Sequence, residues 1–99
     1  MNTIKKIYYS FSAWTKDKKD DTLKADAVDL YGNTMEDLIE KIKLFNKNLC
    51  FECWYSLTFY KWEEIITFGN TDRNIIDCCH FPKIINAHKI EVWGETYEI

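Results

Sequence analysis

The chain has 99 residues, a net charge of −3 and 46% hydrophobic residues, with four Trp, six Tyr and six Phe beside only three Gly and one Pro. This length and composition predict a single globular domain, residues 1–99, and exclude a disordered chain. There is no apolar run of the ~18 residues that a membrane span needs, no secretory signal, and no basic stripe, so we expect a cytoplasmic protein that binds neither membranes nor nucleic acid directly.

The N-terminal third predicts two strands. Lys5 to Thr15 alternates strictly between two faces, as a β-strand does. Residues 16–21 are polar and mixed in charge, which favours a solvated turn. Residues 22–31 fit either a short helix or a strand. We favour the strand, because it would form a hairpin with the first strand and because Gly32 then suits a turn into a helix.

The best helix in the sequence runs from about residue 35 to 47. Thr34 followed by Asp37 resembles a capping box, with Asp in place of the usual Glu. Acidic residues in the first turn and Lys43 and Lys47 near the end match the helix dipole. The apolar side chains recur at helical spacing and form one stripe: Met35, Leu38, Ile39, Ile42, Phe45 and Leu49.

The remaining residues predict further strands. Residues 51–62 alternate over a long strand, a turn is expected at Glu63–Glu64 before residues 65–68, and residues 69–72 predict a hairpin turn. Next come a strand over 74–81, an irregular segment over 82–87, and a last strand from 89–93 and 95–99. The fold class is therefore α+β: an antiparallel sheet of about five strands with one main helix (about 35–47) packed on one face.

One helix of about 13 residues can cover only part of a sheet of five or six strands. The uncovered face would carry large aromatic residues among Ser and Thr, namely Tyr8, Trp14, Trp54, Tyr60 and Trp62. That mixture is typical of recognition surfaces. The alternative is that these rings only stabilise neighbouring strands, or that a C-terminal segment covers them.

The cysteines raise the question of a metal site. Cys50, Cys53, Cys78, Cys79 and His80 are residue types that bind zinc. However, adjacent cysteines in a strand point to opposite faces, and a strand that begins at residue 51 would separate the first pair. We therefore expect small buried residues, with no metal ion and no cofactor. No phosphate-binding loop or nucleophile motif is present, so we expect no catalytic residues and no enzymatic activity.

The leading hypothesis is a small, non-enzymatic protein-binding module that acts through the aromatic sheet face. We expect Trp14, Trp54, Tyr60 and Trp62 to anchor the partner, with Glu63 and Glu64 adding charge complementarity to a basic partner.

The excess of Lys, Ile and Asn over Arg, Ala, Gly and Pro is typical of A/T-rich genes and suggests a phage or mobile element. The sharper version of the hypothesis is then an inhibitor of a host defence or nucleic-acid enzyme, in an anti-CRISPR-like role. The alternatives are a zinc-stabilised small module and an antitoxin or immunity-type partner protein. A second copy of the chain, forming a homodimer, is a further candidate for the partner.

Overall fold

The computed structural model describes residues 3–15, 26–46 and 54–99. The predictions for residues 16–25 and 47–53, which include Cys50 and Cys53, lie outside this part of the chain. The elements in chain order are β1 (Ile4–Thr15), β2 (Asp26–Gly32), α1 (Met35–Asn46), β3 (Trp54–Thr67), β4 (Asn70–His80), β5 (Lys83–Asn86), β6 (Lys89–Val92) and β7 (Glu95–Glu98). The α+β prediction is confirmed, with seven strands in the described residues in place of about five.

The strands form two antiparallel sheets. The larger has the order β2-β1-β3-β4, so the two long strands β1 and β3 lie at its centre. The smaller has the order β5-β6-β7. A sheet of four strands with alternating side chains presents two distinct faces. In this fold one face is buried and the other faces solvent.

The first hairpin and the helix follow the sequence patterns closely. β2 forms as a strand over Asp26–Gly32, which confirms the favoured interpretation for that part of residues 22–31. The helix confirms the prediction from its first residue, Met35, to Asn46. The backbone N–H of Asp37 donates a hydrogen bond to Thr34 Oγ1 at 3.1 Å, so Thr34 caps the helix as predicted.

Gly32 allows the helix to begin close against the sheet. A Cβ atom at this position would lie 2.6 Å from the backbone N and 2.9 Å from the Cα of Leu38. These are backbone atoms in the first turns of α1 and cannot rotate away. The absent side chain of Gly32 therefore sets how closely α1 approaches β2.

The predicted turn at Glu63–Glu64 is wrong. Both residues lie within β3, which continues to Thr67 because each pairs with β1 on one side and β4 on the other. The chain reverses at Phe68 and Gly69, and Gly69 takes the left-handed φ of 78° that suits a glycine. The predicted hairpin turn at 69–72 is thus shifted towards the N-terminus, and β4 begins at Asn70.

The C-terminal prediction also needs correction. The segment expected to be irregular contains β5, Lys83–Asn86, and the expected last strand is two strands, β6 and β7. They are separated by Trp93 and Gly94, with φ of 49° and 79°. Two consecutive left-handed residues make a tight turn that matches the twist of a hairpin. Only one of these two residues is a glycine, so the sequence showed no clear turn and a single strand was predicted.

The core lies on one face of the larger sheet. α1 and the smaller sheet both pack against this face, with β7 beside the helix. The buried residues come from all three layers: Phe11, Ala13, Leu57 and Phe59 from the larger sheet, Met35, Leu38, Ile39 and Ile42 from the helix, and Ile90, Val92 and Ile99 from the C-terminal segment. Burying a large apolar side chain contributes about 1.5–3 kcal/mol, so this cluster is the main source of stability.

The helix is too short to act as a membrane span. It has 12 residues, whereas a bilayer needs about 20. No helix in the described ranges is long and apolar enough to cross a membrane.

Candidate functional site

The face of the larger sheet that points away from the helix carries a continuous row of rings. We call this row the ring ladder and define it as Tyr31, Tyr8, Trp62, Tyr60 and His80. The cross-strand register produces it, because Trp62 lies opposite Tyr8, while Tyr31 and Tyr60 flank Ser10 on either side. One ring comes from β2, one from β1, two from β3 and one from β4, so the ladder crosses all four strands.

Each ring of the ladder contacts the next. Ring centroids are 6.5 Å apart for Tyr31 and Tyr8, and 5.9 Å apart for Tyr8 and Trp62, whose planes are within 3° of parallel. Tyr60 lies 6.2 Å from Trp62 and 6.2 Å from His80, the latter edge-on at 89°. These spacings are within the range at which aromatic pairs attract, so neighbouring rings hold one another in place.

A hydrogen bond fixes the central ring. Trp62 Nε1–H donates to Ser10 Oγ on the neighbouring strand at 2.8 Å. Ser10 is only 6% exposed although it lies on the open face, and it is buried beneath the indole that it anchors. The indole is thereby held across two strands, with its polar atom satisfied and its ring still partly accessible.

The ladder faces solvent. Tyr8, Tyr60 and Trp62 are half-buried by their neighbours in the sheet, Tyr31 is 54% exposed, and His80 is exposed. In the described part of the chain, α1 and the smaller sheet pack on the opposite face. The C-terminal segment therefore does not cover the rings; Ile99 is buried in the core, held by a bond from its N–H to the His88 carbonyl at 2.8 Å.

A groove of about 440 Å³ opens at one end of the ladder. Its walls are Tyr8, Tyr31 and Trp62, and three cations surround it: Lys6 from β1, Lys41 from α1 and Arg73 from β4. Glu64 lies beside Arg73, with Oε1 3.9 Å from the guanidinium Nε. The Lys41 ammonium donates a hydrogen bond to the Tyr31 carbonyl, which holds this cation at the rim.

Of the four predicted aromatic anchors, the structure places two, Tyr60 and Trp62, in the ring ladder. Tyr60 and Trp62 are neighbours in the ladder, as the alternation in β3 suggested. Trp14 lies on the same face and is 44% exposed, but it sits further along β1, opposite Tyr55. Among the rings whose side chains the structure describes, Trp14 is not one of those that form the ladder.

Trp54 was predicted to share the aromatic face, but the register places it outside that row of positions. A β-bulge at Ser56, with a left-handed φ of 54°, inserts an extra residue between the pairs Ser12–Thr58 and Trp14–Tyr55. Trp54 consequently pairs with Thr15 rather than with an even-numbered residue of β1. Its side chain lies outside the part of the chain that the structure describes.

The two predicted carboxylates lie on opposite faces. Glu63 Oε2 forms an ion pair with Lys5 Nζ at 3.3 Å on the core side of the sheet, whereas Glu64 lies beside Arg73 at the ladder. The alternation of a strand separates them, because no turn intervenes. Only Glu64 belongs to the candidate surface.

The cysteines of β4 diverge as predicted, but the expectation that they are buried is wrong for Cys78. Cys78 is exposed and pairs with Tyr60 on the open face, while Cys79 is half-buried opposite Phe59. Thr58 Oγ1 lies 3.5 Å from His80 Nδ1, so a hydroxyl of β3 is within hydrogen-bonding distance of this imidazole. Among the described residues, no group of three His, Cys, Asp or Glu side chains could hold a metal ion.

Sequence reasoning missed Tyr31 and His80 as members of the surface. Tyr31 could have been found from a correct hairpin register, which puts it opposite Ser10. His80 follows a bulge in β4, which lies between the pairs Lys61–Asp77 and Trp62–Ile75. No glycine marks the position of this bulge in the sequence. The cations of the groove come from three separate elements, so no local pattern could group them.

The chain matches no protein-family model, and no curated protein or solved structure is significantly similar to it. No relative therefore suggests a substrate, a partner or a reaction. The ring ladder and the charges around it are the features from which function has to be inferred.

Proposed function

We propose that this chain is a small, non-enzymatic protein-binding module and that the ring ladder is its binding surface. The observation that carries the proposal is the row of five contacting rings that crosses four strands on the solvent-facing side of the larger sheet, opposite the core. Trp and Tyr dominate the binding energy of protein interfaces, because they bury large area at a small cost in conformational entropy.

The ladder is also well ordered before any partner arrives. Trp62 is tied to Ser10 by its indole N–H and stacked against Tyr8, so binding would freeze few further rotamers. Pre-ordered side chains bind more tightly because less entropy is lost on association. Ser12 and Thr58 lie on the same face in the row beside the ladder, and their small polar side chains can hydrogen-bond to a partner.

We further propose that the protein acts in the cytoplasm. The A/T-rich composition favours an origin in a phage or mobile element, which makes a host defence or nucleic-acid enzyme the first partner class to test. An antitoxin or immunity role would use the same surface and would differ in the partner's identity. In each case the ladder binds protein and performs no chemistry.

A pull-down from the lysate of the source organism tests this proposal. Tagged wild type is compared with Trp62→Ala, and the captured proteins are identified by mass spectrometry. Phe68→Ala is the matched control, because Phe68 is an aromatic residue 93% exposed at the β3–β4 turn, away from the ladder. Circular dichroism first establishes that all three proteins are folded.

We expect a near-stoichiometric partner that Phe68→Ala retains and Trp62→Ala loses, since truncation of an anchoring ring costs at least about 2 kcal/mol of binding. If Trp62→Ala is folded and captures the partner as well as wild type does, the ladder is not the binding surface. A Trp62→Ala protein that loses only stability would support the alternative that the rings merely stabilise the sheet.

A further inference from the structure

Charged residues are unevenly distributed on the open face, and one end is positive although the chain as a whole is acidic. Lys6, Lys41 and Arg73 surround the groove beside Tyr8 and Trp62, and Glu64 is the single carboxylate among the groove residues. Three positive charges against one negative leave this end of the ladder with a local balance of +2, in a chain whose net charge is −3.

The carboxylates do not cancel this positive field for a partner. Glu63, expected to face a basic partner, lies on the other side of the sheet with Lys5. Glu64 also lines the groove but is mostly buried, its side chain 16% exposed, whereas Arg73 beside it is 64% exposed. A molecule that approaches the groove therefore meets the cations first.

From this arrangement we infer that the groove binds an acidic segment of the partner protein. Carboxylates of that segment would lie against Lys6, Lys41 and Arg73, and an adjoining apolar side chain would lie against Tyr8 and Trp62. The inference rests on the proposed function and adds the chemistry of the partner. It replaces the basic partner expected from sequence with an acidic one.

A peptide segment fits this surface better than a single-stranded nucleic acid does. Nucleic-acid grooves carry cations along the whole backbone path, because each phosphate contact needs one. The next row of open-face positions, away from the groove, crosses the sheet as Asp29, Ser12, Thr58 and His80, so it contains a carboxylate and no Lys or Arg among the described residues. One cationic end suits a short run of carboxylates.

The test uses three synthetic peptides that alternate Phe with Glu, with Gln or with Lys, and a single-stranded oligothymidine. Each is titrated into isotope-labelled full-length protein, and NMR follows the Trp62 indole N–H, assigned with Trp62→Phe. Lys6→Gln and Arg73→Gln remove groove charges. Lys5→Gln is the matched control, because Lys5 is the neighbouring exposed lysine of β1 on the opposite face.

We expect the Glu peptide to shift the Trp62 signal at the lowest concentration and to lose affinity as salt is added. Lys6→Gln and Arg73→Gln should each weaken that binding about two- to fivefold, as for one partly screened ion pair, while Lys5→Gln leaves it unchanged.

If the Gln or Lys peptide binds the ladder as tightly as the Glu peptide, the acidic partner is wrong and the protein-binding surface stands. If no peptide shifts the Trp62 signal, the proposed surface and the inference both fail. Shifts caused by oligothymidine while all peptides are silent would overturn both in favour of nucleic acid.

Discussion

At the scale of single residues, Trp62 has two separable roles. Its ring contributes to the exposed ladder, and its Nε1–H anchors the ring to Ser10 at 2.8 Å. An intramolecular hydrogen bond contributes about 0.5–1.5 kcal/mol to stability. The bond also fixes the plane of the indole, so its loss should alter the geometry of the ladder as well as the stability of the sheet.

This contribution can be measured with a double-mutant cycle of Trp62→Phe and Ser10→Ala. We expect a coupling free energy of about 0.5–1.5 kcal/mol from urea unfolding, because each single change removes the same bond. Trp93→Phe with Ser10→Ala is the control pair, since Trp93 lies at the core face and contacts Tyr9 and Phe59 instead. A coupling near zero for Trp62 and Ser10 would mean that the bond does not form in solution.

Gly32 carries a second residue-scale prediction. Gly32→Ala should lower the free energy of unfolding by about 1–3 kcal/mol, because its Cβ would collide with the backbone of Leu38 and push α1 away from β2. Urea unfolding measures the change, with the exposed neighbour Asn33→Ala as control. Equal stability of the two variants would show that α1 and β2 are not in such close contact.

At the scale of elements, the smaller sheet is joined to the helix through Tyr97. Burial, and then the nearby carboxylates of Glu36 and Glu95 and the hydroxyl of Tyr9, raise the pKa of this phenol above its ordinary value of 10.0. The folded state thus holds the Tyr97 proton more tightly than the unfolded state does. The resulting stabilisation is present below the unfolded pKa and is lost as pH rises through the folded pKa.

We therefore expect the free energy of unfolding to fall as pH rises above about 10, and Tyr97→Phe to make that fall shallower. Urea unfolding between about pH 8 and about pH 11 measures both curves. Each curve is referred to that protein's own free energy of unfolding at about pH 8, which removes the constant effect of the lost hydroxyl. Parallel curves for the two proteins would contradict the described environment of Tyr97.

Elements with regular local signals were predictable. The Thr34 cap and the apolar stripe of α1 gave the helix, and the alternation of β1 separated the buried Phe11 from the exposed Trp14. Elements set by tertiary pairing were not. Glu63 and Glu64 look like a turn in isolation, but they extend β3 because strands on both sides satisfy their backbone groups.

The bulges limited prediction of the surface in the same way. Ser56 adopts a left-handed φ without being glycine, so nothing in the local sequence showed that the alternation of β3 is interrupted there. The predicted anchor Trp54 depended on an unbroken alternation, while Tyr60 and Trp62, which follow the bulge, did not. The face of Tyr60 and Trp62 was therefore predicted correctly, whereas the face of Trp54, on the other side of the bulge, was not.

At the scale of the whole molecule, the two faces of one sheet divide stability from recognition. The face that carries Phe11 and Phe59 is buried under the helix and the smaller sheet and accounts for folding. The opposite face keeps the ring ladder accessible, with a cationic groove at one end. Substitutions on the open face should therefore change binding more than stability, and substitutions in the core should do the reverse.

Hydroxyl-radical footprinting of the complex captured from lysate tests this division most directly, because it reports the accessibility of each ring without any substitution. The account predicts that Tyr8, Tyr60 and Trp62 are oxidised more slowly in the complex than in the free protein, while Phe68 is oxidised at the same rate in both. Unchanged oxidation of the ladder, with protection found at Phe68 or elsewhere, would contradict the assignment of the ladder as the binding surface.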